Sequence, residues 1–151
     1  MINMKNVKIY TDGACSFNPG PGGYCAILMY NGKEKVVSGA ELETTNNRME
    51  LMAVIQGLSM LTEKCKVDLY SDSAYVCNAV NENWLQNWQL KNWKNSSKEK
   101  VANRDLWEKL LELIAFHQVI FHKVKGHSDD ELNNRCDSIA RKEIAKILEK
   151  K

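Results

Sequence analysis

The chain has 151 residues, of which 44% are hydrophobic, and its formal net charge is +2. This length suffices for one domain with a buried core and leaves no room for a second, so we predict a single domain over 1–151. The near-neutral charge excludes a protein that is basic over its whole surface, and any nucleic-acid site must therefore be local.

The cysteine pattern excludes the common zinc motifs, and the apolar runs are too short to cross a membrane. The five cysteines are odd in number and form no CxxC pair, so we interpret them as reduced thiols in or near the core. The N-terminal segment lacks the apolar core of a signal peptide, and no run approaches the roughly 18 apolar residues of a membrane span. We expect a cytoplasmic protein without a membrane partner.

The first third of the chain has the pattern of an antiparallel meander. Val7, Ile9 and Thr11 alternate with polar residues and predict a strand, which places Asp12 at its carboxyl end. A turn rich in glycine and proline follows, and Asn31-Gly32 is a strong signal for a tight hairpin. The two further strands of the meander cover 24–30 and 33–40.

The rest of the chain alternates helices with strands. The period changes to that of a helix from about Thr45, with Thr44 or Thr45 available as N-cap and Glu50 in the first turns. Asp72 directly follows a short strand over 66–71, and this β-α-β unit implies a parallel pairing. Two more helices, a strand over 119–124 and a last helix give the order β-β-β-α-β-α-α-β-α.

Four short motifs each contain an acidic residue: TDG with Asp12, TTNNRMEL with Glu50, SDSAYV with Asp72, and KGHxxxxxNxRCD with Asp137. Taken singly, an aspartate after a strand is more often a turn former or a helix cap. Open α/β sheets nevertheless bind ligands beyond the carboxyl ends of their strands, where Asp12 and Asp72 fall. In this order and within one small domain, the motifs resemble those of type I ribonuclease H, and the resemblance runs from about residue 5 to 145.

The resemblance implies a fold and a metal site. The fold is the α/β ribonuclease H-like fold, a five-stranded mixed sheet whose first three strands are antiparallel, flanked by helices. The implied ligands are Asp12, Glu50, Asp72 and Asp137, and such carboxylates suit two Mg²⁺ ions, or Mn²⁺ as a substitute, because hard cations prefer oxygen. His127 is implied as a further catalytic residue, either a proton shuttle or an aid to product release, although a lone loop histidine is more often simply solvated.

The resemblance also implies a surface that distinguishes RNA from DNA. Asn18, Asn46 and Asn47 match residues that contact the hybrid, where neutral donors and acceptors can read 2′-hydroxyl groups. Without the surrounding motif, the adjacent pair of asparagines would be interpreted as helix-capping residues. Thr45 and Asn87 match positions that bind a phosphate of the DNA strand.

The segment 84–104 resembles the basic protrusion of the family. It interleaves tryptophans with five basic residues against one acidic residue, a pattern that favours contact with a nucleic-acid backbone. Trp84, Lys91 and Trp93 are implied contacts of the DNA strand, whereas we interpret Trp88 and Trp107 as core residues. Four positions depart from the family pattern in ways that concern affinity and not the metal site, namely Glu43, Ala74, Gln89 and Leu90.

The predicted activity is endonucleolytic hydrolysis of the RNA strand of RNA–DNA hybrids by a monomer, leaving 5′-phosphate and 3′-hydroxyl ends. A proofreading-type 3′–5′ exonuclease is one alternative, but it would carry a glutamate two residues after its first aspartate, where this chain has Ala14. A non-catalytic hybrid-binding module would not need the four acids and His127. A domain of an integrase or reverse transcriptase would have a flanking chain.

Overall fold

The computed structural model describes residues 4–125 and 131–150, which form five strands and five helices. The strands are β1 (Lys5–Cys15), β2 (Gly20–Tyr30), β3 (Lys33–Thr44), β4 (Cys65–Ser71) and β5 (Gln118–Lys123). The helices are α1 (Asn46–Ser59), α2 (Ala74–Asn81), α3 (Trp84–Leu90), α4 (Arg104–Phe116) and α5 (Glu131–Glu149). The predicted order was wrong in lacking α3, because a helix of seven residues is too short for its period to stand out in the sequence.

The strands form one mixed sheet in the order β3-β2-β1-β4-β5. The first three pair antiparallel, whereas β1 pairs in parallel with β4 and β4 with β5, which confirms the predicted fold. The hairpin between β2 and β3 turns at Asn31 and Gly32, whose φ angles are both positive, as this type of two-residue turn requires. Because β2 runs antiparallel to β1, that turn lies at the end of the sheet away from Asp12.

Residues of the central strands alternate between two packed faces. Ile9 and Ala26 belong to the larger core, which α1 and α4 cover, whereas Ile27 packs with Ala140 of α5 in a second cluster. The alternation follows from the two-residue period of a strand. On β1 it places Asp12 on the side that faces α5.

The cysteines are free thiols that lie mostly in the interior, as expected of reduced core cysteines. All five cysteines are free, and four of them are buried. In the part of the chain that the structure describes, no helix is both long and apolar enough to cross a bilayer.

The segment between α2 and α4 contains α3 and an irregular stretch in which Asn92, Trp93 and Lys98 have positive φ angles. Trp107 is fully buried, which confirms its assignment to the core, and Trp88 is half-buried against the same cluster. Trp93, which the resemblance implies as a contact of the DNA strand, is only 8% exposed. The ring packs against Trp88 at a centroid distance of 6.5 Å, and the guanidinium of Arg104 lies 5.2 Å from its centroid.

Candidate active site

Gly13 joins the acidic residues of β1 and α1. Its peptide N–H donates to Asp12 Oδ1 at 2.9 Å and also to Glu50 Oε1. A Cβ at position 13 would lie 2.4 Å from Glu50 N and from Met49 C, so the absence of a side chain lets α1 approach β1 this closely. Asp12 and Glu50 are 8% and 5% exposed, and the contact with Gly13 therefore fixes both carboxylates in a nearly buried position.

Asp72 reaches the same place from the neighbouring strand. It directly follows β4, and because β4 is parallel to β1, the carboxyl ends of the two strands meet. One carboxylate oxygen from each of Asp12, Glu50 and Asp72 lies within 4.8 Å of the other two. The next residue, Ser73, caps α2 by accepting the N–H of Val76 at 3.2 Å, so α2 begins immediately beside the acids.

Asp137 approaches from α5. It lines the same cleft as Asp12 and Asp72, a cavity of about 420 Å³. Arg141 lies one turn further along α5. Its Nε–H donates to both carboxylate oxygens of Asp137, at N···O distances of 3.1 and 3.0 Å. The structure thus brings the four acids predicted from the sequence into one cleft, and among the residues that the structure describes, Asp137 is the one of the four that forms an ion pair with a basic side chain.

Burial and mutual repulsion oppose the ionisation of two of these acids. Burial, followed by repulsion from Asp72 and Asp137, raises the pKa of Asp12 to about 7. Burial, and then the charges of Asp12 and Asp72, raise the pKa of Glu50 well above its ordinary value, although the hydrogen bond from Gly13 acts in the opposite direction. A divalent cation would relieve this repulsion, and a set of carboxylate oxygens fits Mg²⁺ or Mn²⁺ better than a softer metal.

Neutral polar side chains form the rim of the cleft. Asn46 and Asn47 are exposed at the start of α1 and line the cleft together with the acids. Asn18, in the loop between β1 and β2, accepts the N–H of Asn46 on its Oδ1 at 3.2 Å. Thr45 is the N-cap of α1 and accepts the N–H of Arg48 at 3.2 Å. The side chains of Asn18 and Thr45 therefore have structural partners, and the three asparagines are exposed.

A hydrogen-bond network that the sequence did not reveal joins the helices around the cleft. Arg48 donates to both carboxylate oxygens of Asp105, at 3.0 and 2.9 Å, and to Asn103 Oδ1 at 3.2 Å. Asn103 Nδ2 and Trp107 Nε1 both donate to the hydroxyl of Tyr75, at 3.1 and 3.0 Å. The network ties α1 and α2 to α4. Its members are distant in sequence, and the only signal for them is that two lie inside the motifs around Glu50 and Asp72.

The predicted protrusion presents a second, shallower surface. Trp84, Asn87 and Lys91 are exposed and line a cavity of about 230 Å³ together with Trp88 and Lys94. Trp84 is 37% exposed, in contrast to the buried Trp93. This part of the predicted substrate surface is therefore accessible. His127 lies outside the described residues.

Comparison with known proteins places the chain in a family. Residues 4–145 match the model of the RNase H family. The chain is 62% identical over 144 residues to the ribonuclease H of Caldicellulosiruptor saccharolyticus, covering 95% of this chain and 99% of the relative. It is 59% identical over 140 residues to the ribonuclease H of Chlorobium limicola, covering 93% of this chain and 96% of the relative.

Solved structures show the same fold. LC9-RNase H1, a type 1 RNase H with the type 2 active-site motif, superposes with a TM-score of 0.85 at 26% identity, over 96% of this chain and 74% of that one. LC11-RNase H1, solved in complex with an RNA/DNA hybrid, gives a TM-score of 0.67 at 24% identity, over 94% of this chain and 99% of the other. Sequence, fold and the converging acids agree, and the chain belongs to the ribonuclease H family.

Proposed function

We propose that this protein is a metal-dependent endonuclease that hydrolyses the RNA strand of RNA–DNA hybrids. The observation that carries the proposal is the convergence of four acids in a cleft whose rim bears exposed asparagines. Membership of the ribonuclease H family supports it, as does the hybrid bound to the structurally similar LC11-RNase H1.

The acids would hold two divalent cations, Mg²⁺ with Mn²⁺ as a substitute. Asp12 would be shared between both positions, Glu50 and Asp72 would hold one cation, and Asp137 the other. When bound, the cations supply an activated water, a stabilised leaving 3′-oxygen and neutralisation of the phosphate charge. Products with 5′-phosphate and 3′-hydroxyl ends follow from cleavage of the bond to the 3′-oxygen.

The chain itself contributes the preorganisation of these acids. The peptide N–H of Gly13 fixes Asp12 and Glu50, and the guanidinium of Arg141 orients Asp137. In the metal-free protein, Asp12 holds a proton over part of the neutral pH range, because its pKa is raised to about 7. Loading the site therefore releases a proton, and metal affinity should increase with pH through that range.

The remaining predicted residues would bind the substrate. Asn18, Asn46 and Asn47 would read 2′-hydroxyl groups of the RNA strand in the minor groove. On the DNA strand, Thr45 and Asn87 would bind a phosphate, and the exposed Trp84 and Lys91 would contact the backbone. Trp93 would then act by supporting the protrusion from within, because its ring is buried.

His127 would transfer a proton or assist product release, since an imidazole titrates near neutral pH. We further propose that the protein acts as a monomer, because the four acids come from one chain, and that it acts in the cytoplasm. Size-exclusion chromatography with light scattering should give the monomer mass of 17.3 kDa. A stable dimer would contradict this part of the proposal.

The central experiment compares an RNA–DNA hybrid, double-stranded RNA and double-stranded DNA, each end-labelled and incubated with Mg²⁺, Mn²⁺ or EDTA. We expect internal cuts in the RNA strand of the hybrid with either metal, and no cleavage with EDTA. Ligation of the products to a 5′-adenylated linker, which requires a 3′-hydroxyl, tests the product ends. Equal cleavage of double-stranded RNA, or activity in EDTA, would contradict the proposed function.

A further inference from the structure

The loop between β1 and β2 carries an aromatic side chain that none of the roles above uses. Phe17 is 73% exposed, more than any other aromatic residue in the part of the chain that the structure describes. A single exposed apolar residue is common on soluble proteins and carries no inference by itself. Two further observations make this exposure informative. The backbone around Phe17 is fixed, and the loop is attached to the rim of the cleft.

The backbone of this loop is fixed on both sides of Phe17. The N–H of Ser16 donates to the carbonyl oxygen of Pro21 at 2.8 Å and closes the loop. The thiol of Cys15 donates to the carbonyl oxygen of Phe17. A Cβ at Gly20 would lie 2.8 Å from the Cβ of Phe17, so the chain folds tightly at this point. The ring is thus held in solvent by an ordered backbone, and little conformational freedom of the main chain is left to lose on binding.

The loop is also attached to the rim of the catalytic cleft. Asn18, the residue after Phe17, accepts the N–H of Asn46 at the start of α1. Asn46 lines the cleft with the four acids, and Cys15, two residues before Phe17, lines it as well. Phe17 therefore stands at the edge of the surface proposed to bind the RNA strand, next to a proposed reader of ribose.

We propose that Phe17 is a substrate-contacting residue whose ring packs against a ribose of the RNA strand in the minor groove. The minor groove of an A-like duplex is wide and shallow and displays the sugars, so a ring at the rim can cover their C–H surface without separating the bases. Stacking on a base face would require unstacking the duplex, which the sugar contact does not. This inference rests on the proposed function, because it assumes an RNA–DNA hybrid in the cleft.

The contact would supply affinity that does not depend on charge. This uncharged contribution to affinity matters in this chain because Gln89 and Leu90 stand at protrusion positions where lysines would contribute ionic binding. Removal of the ring should therefore weaken binding at every salt concentration by the same factor. The slope of log affinity against log salt should stay unchanged, since no phosphate contact is lost.

The test compares Phe17→Ala with Phe116→Ala, a matched control. Phe116 is 52% exposed and ends α4 just before β5 begins, at the end of the sheet opposite to Asp72. Hybrid binding is measured by fluorescence anisotropy in Ca²⁺, and cleavage by steady-state kinetics in Mg²⁺. We expect Phe17→Ala to raise Kd and KM about fivefold to thirtyfold, with kcat within about twofold of wild type, as for loss of a partly buried ring. Phe116→Ala should leave Kd and KM within about twofold.

Conservative variants distinguish the contribution of the ring to binding from an effect of the substitution on folding. Phe17→Tyr should bind like the wild type, and Phe17→Leu should show an intermediate loss, because it keeps apolar area but no planar ring. If Phe17→Ala unfolds at a markedly lower temperature, the comparison is made with these two variants. Wild-type affinity of Phe17→Ala, a loss no larger than that of Phe116→Ala, or a changed salt slope overturns the inference. Failure of the wild-type protein to cleave any hybrid would instead refute the proposed function.

Discussion

The acid cluster and the protrusion, two regions of one small domain, are built in opposite ways. Asp12 and Glu50 are nearly buried, and they are fixed by the peptide N–H of Gly13 between a central strand and a packed helix. The protrusion consists of α3, which has one buried residue, Leu85, and of an irregular stretch with several positive φ angles. Its apolar Leu90 is 83% exposed.

The contrast suits two different tasks, metal binding in the acid cluster and substrate affinity in the protrusion. Carboxylates that hold a metal must keep their positions to a fraction of an ångström, and the sheet and helices around them provide that precision. A protrusion that contacts a phosphate backbone needs charge and reach, and it tolerates substitution because each contact adds a small, separate increment. Gln89 and Leu90, two of the departures from the family pattern, lie in this second region.

The largest expected effect tests whether cleavage depends on the acid cluster alone. Asp12→Asn removes the carboxylate proposed to serve both metal positions, so cleavage should fall to background at every pH and Mg²⁺ concentration. Hybrid affinity in Ca²⁺ should stay within several-fold of wild type, because the proposed binding residues are the asparagines and the protrusion, not Asp12. Single-turnover cleavage and fluorescence anisotropy on one hybrid measure both quantities. Retention of cleavage by Asp12→Asn would refute the central role of this residue.

A second effect concerns the stability of the metal-free protein. The pKa of Asp12 is raised in the folded state from 3.8 to about 7, so the folded protein keeps a proton that the unfolded chain releases as pH rises from about 4 to 7. In EDTA the free energy of unfolding should therefore decrease over this window, by on the order of 4 kcal/mol from Asp12, and the contribution of Asp12 should stay constant above it.

Asp12→Asn should remove this decrease in the free energy of unfolding, because an amide does not titrate, while keeping an acceptor for the N–H of Gly13. Thermal unfolding in EDTA should show a higher Tm for the variant at pH 8 and an unchanged Tm near pH 4. Asp137→Asn should give a smaller gain, because Arg141 already offsets the charge of Asp137. A lower Tm for Asp12→Asn at pH 8 would mean that the free carboxylate stabilises the fold.

A third effect separates proton transfer from metal binding. His127→Ala should reduce kcat on the order of a hundredfold, the usual contribution of a general acid or base, and leave the same products. The remaining activity should distinguish it clearly from Asp12→Asn. Product gels and steady-state rates in Mg²⁺ make the comparison, and a complete loss of cleavage would place His127 among the essential groups of the cluster.

The smallest effect belongs to the protrusion. Replacing Gln89 and Leu90 by lysine should steepen the slope of log affinity against log salt by about one to two units and tighten binding at low salt. The rate at saturating substrate should change little. Gln118→Lys, an exposed site at the far end of β5, is the control for added charge. An unchanged slope in the double variant would show that the protrusion does not contact the backbone.

The same two regions divide what the sequence could predict. Asp12 and Asp72 could be placed together because Asp12 lies near the carboxyl end of one readable strand, Asp72 follows another, and parallel strands end at one edge. The burial of Trp93 could not be predicted, because a ring among lysines looks the same in sequence whether it faces solvent or the core. The bonds from Arg48 to Asp105 and from Asn103 to Tyr75 join residues that no local period relates. The motifs therefore predicted which acids converge, whereas the packing that positions them needed the structure.

The hairpin turn at Asn31 and Gly32 is a suitable site for attaching the enzyme to a surface. It lies at the end of the sheet away from the acids, and a Cβ at Gly32 would meet nothing within 4 Å. A short peptide tag inserted between these two residues would project into open solvent, where exposed loop tips accept insertions. Through such a tag the protein could be anchored to a glass surface with its cleft facing the solution, so that successive cuts on one tethered hybrid could be followed as single events.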